Sequence, residues 1–329
     1  MNPLGTLQGL ARIAATAVCI GASTMALAQT AYPAKPIRLV VGFSPGGPTD
    51  IHARIFGNGL SKALNQPVLI DNKAGAAGAI GSVEVKRSAP DGYTLLFGTA
   101  TNMALYNLMA RTPQYDSLKD FTTVSVIGGS AVVIVANKSA PQTLKALVEM
   151  ARAQPGKLRY GSAGHGTFVQ LSMERFLREA GINIEHIPYK GSGQVKPALL
   201  GGQVDVMTDT FSSGLALHQV GQAKILAIAA AERSPLAPDV PTVNEALGIK
   251  DFEAILWNGL VAPAGTPKAV IDVLAAATAK TLKDPSVQEQ LSKLAMESMD
   301  TTPAAALEYI KSEITKWKPV VEATGVKID

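Results

Sequence analysis

The sequence predicts an α/β fold with strands that cross into a second domain, and three observations predict it. Leu39 to Asp50, LVVGFSPGGPTD, reads as a short apolar strand, a Ser-Pro-Gly-Gly turn and the start of a helix with Asp50 as its N-cap. The same order recurs at Leu158 to Arg178, through Gly161-Ser162-Ala163-Gly164-His165-Gly166 and then Thr167. Two further apolar runs, Val124 to Ala136 interrupted at Gly128-Gly129 and Ile255 to Val261, read as strands crossing between domains. A glycine loop at a strand's C-terminal end lets a small molecule approach the backbone, and the next helix offers unpaired N–H groups carrying about half a positive charge. An anion can rest there.

The chain has 329 residues, 47% hydrophobic and 17% charged, an ordinary globular balance long enough for two domains. Its net charge of +4 comes from scattered basic residues, and with aromatics at 5% no basic run interleaved with aromatics points to nucleic acid. Residues 1–28 read as an export signal: Arg12 is the one charged side chain before Lys35, Ile13 to Ala22 is apolar, and Ala26-Leu27-Ala28 is a cleavage site. Such a run is too short to span a bilayer. Cys19, the single cysteine, falls inside this segment, preceded by Val18 where a lipoprotein signal needs a small residue. The expected mature chain therefore starts near Gln29, has no thiol, and is soluble in an exported compartment.

Residues 29–130 and 256–329 are expected to form a discontinuous first domain, and 131–255 the second. After the first strand and loop, a helix from Asp50 to about Leu64 sets Ile51, Ile55, Leu60 and Leu64 to one side, with Gly57 and Gly59 each costing about 1 kcal/mol. Val68 to Ile70 is a strand, Asp71 to Gly81 a glycine- and alanine-rich loop, and Val83 lies in a helix. Asp91-Gly92 turns into the strand Tyr93 to Phe97, which ends in the polar loop Gly98 to Asn102. Three strand ends thus converge on one edge, where open α/β sheets place ligands.

In the second domain, Pro141 starts a helix and Gln154-Pro155-Gly156 stops it. The helix opened by Thr167 carries a Glu174–Arg178 pair at i, i+4 and ends at Gly181. Ile184 to Pro188 is a strand, Tyr189 to Gly193 a loop, Val195 to Leu200 a helix closed by Gly201-Gly202, and Val204 to Met207 a strand leading to Thr208-Asp209-Thr210. A strand Ile225 to Ala229 and a proline-rich segment, Ser234 to Pro241, precede the second crossing strand. Beyond it, Thr266-Pro267, Asp284-Pro285 and Thr302-Pro303 each set an N-cap before a first-turn proline. The apolar stripes of these last helices, such as Leu307, Ile310, Ile314, Trp317 and Val321, are core.

The loop G-S-A-G-H-G is spaced G-x-x-G-x-G, so it is not the dinucleotide fingerprint, and it lacks the Lys-Ser/Thr of a phosphate loop. None of the histidines, His52, His165, His186 and His218, has metal-ligand spacing. His52 reads as a helix-surface residue and His186 as a strand residue with a satisfied hydrogen bond. An enzyme is the rival class, with His165 as general base or Asp50 and Asp209 as an acid/base pair, but no activated nucleophile accompanies them.

An export signal followed by YPAKPIRLVVGFSPGGPTD, NKAGAAGAIGSVEVKRSAPDGYTLLFGT, YGSAGHGT, PYKGSGQ, LLGGQVDVM and WNGLVAPAGTPKAVI resembles, in that order, the Bug-type solute receptors of tripartite tricarboxylate transporters. The resemblance covers essentially the whole mature chain. It implies a type 2 periplasmic-binding-protein fold, a periplasmic monomer without cofactor or metal, a small organic carboxylate as ligand, and the membrane subunits of a tripartite transporter as partners. By position it implicates Phe43, Ser44, Gly46, Gly47, Asp50 and Thr99 in the first domain. In the second it implicates Ser162, Ala163, Gly164, Gly166 and Thr167, with Tyr189, Gly191 and Asp209 opposite. Gln170 stands where many relatives carry histidine, and Gly193-Gln194 where they carry proline-alanine, so the ligand's distal end is expected to differ. No arginine falls in these loops, so dipoles rather than a salt bridge would hold the anion. A ligand-sensing subunit of a signalling system is the remaining alternative.

Overall fold

The computed structural model describes residues 32–329; the export-signal reading of 1–28, with Cys19, lies outside them. Residues Lys35–Asp329 form one compact unit. The first group of elements is β1 (Ile37–Val41), α1 (Pro48–Leu64), β2 (Val68–Asn72), a 3-10 turn (Ala76–Gly78), α2 (Ala79–Lys86), β3 (Thr94–Thr99), a π-turn (Thr101–Leu105) and α3 (Tyr106–Met109). β4 (Phe121–Ala136) leads to α4 (Leu144–Ala153), β5 (Arg159–Ser162), α5 (Phe168–Ala180), β6 (Glu185–Pro188), α6 (Ser192–Leu200), β7 (Val206–Thr210), α7 (Phe211–Gln219), β8 (Lys224–Ile228) and α8 (Val243–Leu247). β9 (Ile255–Pro263) returns the chain to α9 (Lys268–Lys283), α10 (Pro285–Lys293), β10 (Glu297–Ser298) and α11 (Pro303–Thr324).

The strand order is β2-β1-β3-β9-β4-β7-β5-β6, with β8 and β10 also paired to β4. β1 runs parallel to β2 and β3, and β5 parallel to β6 and β7, while β4 is antiparallel to β9, β7 and β8. β4 pairs with β9 as far as Ala131 and with β7 and β8 from Val132 or Val133 onwards. Two α/β domains are therefore joined by β4 and β9. The expected break at Gly128-Gly129 is a register shift inside one strand of 16 residues. A Cβ on Gly128, whose φ is +152°, would lie 2.2 Å from the carbonyl oxygen of Glu297, so glycine here admits β10 against the crossing strand.

Tertiary packing rotates α1 away from its expected face. Phe56 and Leu60 are buried, Ile51 is 39% exposed, and His52, expected on the surface, is 3% exposed. The glycines explain it: a Cβ on Gly59 would stand 2.6 Å from Thr281 Cγ2 and 2.9 Å from Val287 Cγ2, so α9 and α10 pack directly on the α1 backbone. The cap is Gly47, with Pro48 in the first turn, because Asp50 sits one turn later than an N-cap. Other starts shift for similar local reasons. Thr143 caps α4 by accepting from Ala146 N at 3.1 Å, so the helix begins beyond Pro141. Thr266 donates to Pro263 O and leaves the cap of α9 to Pro267, whereas Asp284 and Thr302 cap as expected. Glu174 turns inward to accept from the Tyr160 hydroxyl rather than pairing with Arg178, and Arg175–Glu179 is the i, i+4 pair.

Trp257 of β9 and Trp317 of α11 are buried, and both indole N–H groups donate to Glu313 Oε2, at 3.2 and 3.3 Å. That satisfies a nearly buried carboxylate and ties α11 to the crossing strand. No helix of the described residues is long and apolar enough to cross a membrane.

Candidate functional site

A cavity of about 730 Å³ lies at the strand ends of both domains. That size suits a small molecule. From the first domain Phe43, Ser44, Gly47 and Thr99 line it; from the second come Ala163, Gly164, Thr167, Tyr189, Gly191 and Asp209. Gly46, Asp50, Ser162 and Gly166, also expected at the ligand, are not on the wall. Their hydrogen bonds show what they do instead.

Asp50 braces the Phe43–Gly47 loop from behind. Its Oδ2 accepts from Gly46 N at 2.9 Å and Arg54 Nε at 3.0 Å, and its Oδ1 from Asn72 Nδ2 at 3.0 Å. Asn72 Nδ2 also donates to Phe43 O at 3.0 Å. Burial pushes the Asp50 carboxyl up, but Arg54, Gly46 and Asn72 together outweigh it and hold the group below the usual carboxylate range. Asp50 therefore stays ionised and engaged. Thr99 is fixed in the same way, its N–H and hydroxyl both donating to Asn102 Oδ1 at 2.7 and 3.1 Å.

In the second domain one directed chain of hydrogen bonds shapes the Gly161–Gly166 loop. Gly166 N donates to Gln170 Oε1 at 2.7 Å, which leaves Gln170 Nε2 to donate to His186 Nδ1 at 3.2 Å. His186 Nε2 then carries the proton and donates to Ser162 Oγ at 2.7 Å, and Ser162 Oγ donates to Gly164 O at 3.2 Å. Burial, reinforced by nearby His165, pushes His186 down to about 4 and keeps the ring neutral. Ser162 and His186 resemble a nucleophile and its base only in distance: the ring nitrogen facing the hydroxyl already holds a proton, and Ser162 is off the wall. Gln170 holds the loop rather than lining the cavity, whereas Gly193 and Gln194, the other expected departure, are on the wall.

Thr167 caps α5. Its Oγ1 accepts from Gln170 N at 3.4 Å and donates to Gly164 O at 2.8 Å, so its hydroxyl proton is already placed. Phe168 N of the same turn donates to Thr101 Oγ1 of the first domain at 3.1 Å. Asp209, fully buried, accepts from Ser192 Oγ and Thr210 N through Oδ1, at 2.9 and 2.8 Å, and from Ser213 Oγ through Oδ2. Burial pushes its carboxyl up and those donors work against the rise. It pins the start of α6 to the end of β7 and the start of α7.

Several wall residues were not singled out in the sequence. Ala74 to Gly78, Thr101 and Lys190 line the cavity. A signal existed for the first group: N-K-A-G-A-A-G follows β2 as the other glycine loops follow their strands, and Ala76 and Ala77 hold positive φ of 47° and 52° to bring backbone to the cavity. Lys190 and His165 are the basic residues on the wall, Asp209 its carboxylate, and the first turns of α1, α5 and α6 all open onto it. No cluster of three or more metal-ligating side chains occurs among the described residues.

The model of the tripartite tricarboxylate transporter family receptor matches residues 52–326. The chain belongs to this receptor family. Protein BugT of Bordetella pertussis is 36% identical over 300 residues, 90% of this chain and 91% of that protein. A Rhodopseudomonas palustris protein solved with adipate is 32% identical with a TM-score of 0.86, covering 90% of this chain and 99% of that one. MatC of the same organism, solved with bound malate, is 32% identical with a TM-score of 0.83, covering 88% and 100%. The chain is thus a solute-binding receptor of the Bug type with a periplasmic-binding-protein fold, and its relatives are binding proteins.

Proposed function

We propose that this receptor is exported to the periplasm, captures a small organic carboxylate between its domains, and delivers it as a monomer to the membrane subunits of a tripartite transporter. The observation that carries the reading is the wall itself: the first turns of α1, α5 and α6 open onto one cavity whose sole carboxylate, Asp209, is fully engaged by donors. Such a wall favours an anion. Relatives solved with adipate and malate support the same class. The domains divide at 130/131 and 255/256, so closure bends β4 and β9. Phe43, Ser44, Gly47, Thr99, Ala163, Gly164, Tyr189 and Gly191 face the ligand, while Gly46, Asp50, Ser162, Gly166, Thr167 and Asp209 hold those groups in place.

Micromolar affinity needs about 8 kcal/mol, and one helix N-terminus contributes at most about 2. Charge-assisted bonds from side-chain donors on the wall, such as the Ser44 and Tyr189 hydroxyls, at about 1.5 to 3 kcal/mol each, supply the remainder. Lys190, at the cavity edge, adds a cation for a second carboxylate. The protein performs no turnover. A thermal-shift screen of mono-, di- and tricarboxylates, aromatic acids and amino acids tests the reading. An acid at a hundred times its Kd adds about 2.7 kcal/mol, a shift of roughly 4 °C for a chain this size. Stabilisation by amines or neutral sugars with no response to any acid would overturn it, and a ligand recovered chemically altered would revive the enzyme reading.

A further inference from the structure

The segment after α11 belongs to the first domain by its anchors. Gly325 ends the helix with φ +65°, and Val326 is buried. Ile328 N donates to Met109 O at 3.2 Å, Arg111 N donates to Ile328 O at 3.0 Å, and Lys327 Nζ reaches Leu108 O at 3.3 Å. These bonds fix the segment along the end of α3.

From that anchor it reaches the second domain. His165 Nε2 donates to Lys327 O at 2.9 Å. The Ile328 side chain covers Gly166, so that a Cβ on this glycine, whose φ is +73°, would lie 2.5 Å from Ile328 Cγ2. His165, Gly164 and Thr167 are on the cavity wall, so whatever positions this loop positions the wall. The bonds inside the second domain, from Gly166 through Gln170 and His186 to Ser162, set the loop's shape. They do not set its distance from the first domain.

We propose that residues 325–329 are a strap that holds the Ala163–Thr167 loop against the first domain, with Lys327 and Ile328 as positioning residues for ligand capture; the second half of this inference rests on the proposed carboxylate site. Its physical role is preorganisation. A loop already held in its binding position loses less freedom when ligand arrives, so the strap raises affinity without touching the ligand.

The test compares full-length wild type, Ile328→Ala, Ile328→Val and a deletion of residues 327–329. Hydrogen exchange, which needs no ligand, reads the loop directly. The amides of Gly164 to Thr167 exchange about tenfold faster in the deletion and in Ile328→Ala, amides of β1 and β3 are unchanged, and Ile328→Val restores protection. Calorimetric titration with malate and with adipate reads capture. Loss of one ordinary hydrogen bond and its packing weakens Kd about three- to tenfold at preserved stoichiometry. Unchanged exchange at 164–167 in both variants overturns the strap. Faster exchange with wild-type Kd overturns its role in capture. If wild type binds neither acid nor any other carboxylate, the proposed function fails, and the exchange result still decides the strap.

Discussion

Thr167→Val separates a residue that holds the site from one that touches the ligand. The hydroxyl accepts from Gln170 N as the α5 cap and donates to Gly164 O at 2.8 Å, so valine removes both bonds while keeping the shape. Loss of a threonine cap costs about 1 kcal/mol. Loss of the second bond costs about another 0.5 to 1.5 kcal/mol, because Gly164 O keeps a partner in Ser162 Oγ. The apo protein should therefore lose about 1.5 to 2.5 kcal/mol, which for roughly 300 residues lowers Tm by about 3 °C. Thr167→Ser keeps both bonds and should recover most of the loss. Apo melting beside calorimetric titration with the best acid decides between the roles. Wild-type apo stability with a tenfold or greater loss of affinity would refute the capping role and place the hydroxyl on the ligand.

The other expectations concern packing, buried charge and pH. Gly59→Ala gains about 1 kcal/mol of helix propensity, but its Cβ meets Thr281 and Val287 and overpacking costs about 1 to 3, so denaturant unfolding should show a net loss. Gly57→Ala meets a flexible Ile70 Cδ1 at 3.0 Å and should be neutral or stabilising in the same assay. Asp209→Ala strands the hydroxyls of Ser192 and Ser213 and the N–H of Thr210, at about 1 to 3 kcal/mol each, and Asp209→Asn should lose less in thermal melts. Burial holds His52 down at about 4 against an ordinary 6.5, so the folded chain binds fewer protons between those values. Its contribution is complete above pH 6.5 and falls as pH drops towards 4, by about 2 kcal/mol at pH 5. His186 acts in the same direction, while Asp209, raised by burial, acts in the opposite one. Melting across pH 4 to 7 should show a shallower slope in His52→Gln than in wild type; equal slopes would remove His52 as a source.

How far the sequence could be read depended on whether a feature was local. β1, β5 and their glycine loops were legible because apolar runs followed by turn residues announce themselves within ten positions, and the crossing strands because their apolar runs are long. Asp284 and Thr302 were legible as caps because a cap and its first-turn proline are adjacent. The face of α1 was not legible. His52 and Phe56 point inward because Gly59 lets Thr281 and Val287 approach, and those residues lie more than two hundred positions away. The 16-residue continuity of β4 was hidden in the same way, since Gly128-Gly129 looks like a break until β10 is seen packed on it.

At the cavity, residue type was legible and side-chain direction was not. Polar residues at strand ends invite the reading that each faces the ligand, yet Asp50, Ser162, Thr167, Gln170 and Asp209 direct their polar atoms into the loops that carry them. Geometry explains the division of labour. A glycine loop brings backbone N–H groups to an anion but has large conformational freedom, and an unrestrained loop would lose much of its binding free energy to ordering. Side-chain acceptors behind the loop remove that freedom before ligand arrives. The neutral His186 link suits this role, since a ring at about 4 stays uncharged throughout the neutral range while Gln170 and Ser162 set its tautomer. Ligand choice should then depend chiefly on the residues that do reach the wall, Tyr189, Lys190, His165 and Gln194, and substitutions among them should change which acid binds at nearly constant apo stability. A panel of acids titrated into Lys190→Met checks this: affinity for dicarboxylates should fall more than affinity for monocarboxylates, whereas an equal fall for both would mean that Lys190 contributes only a general field.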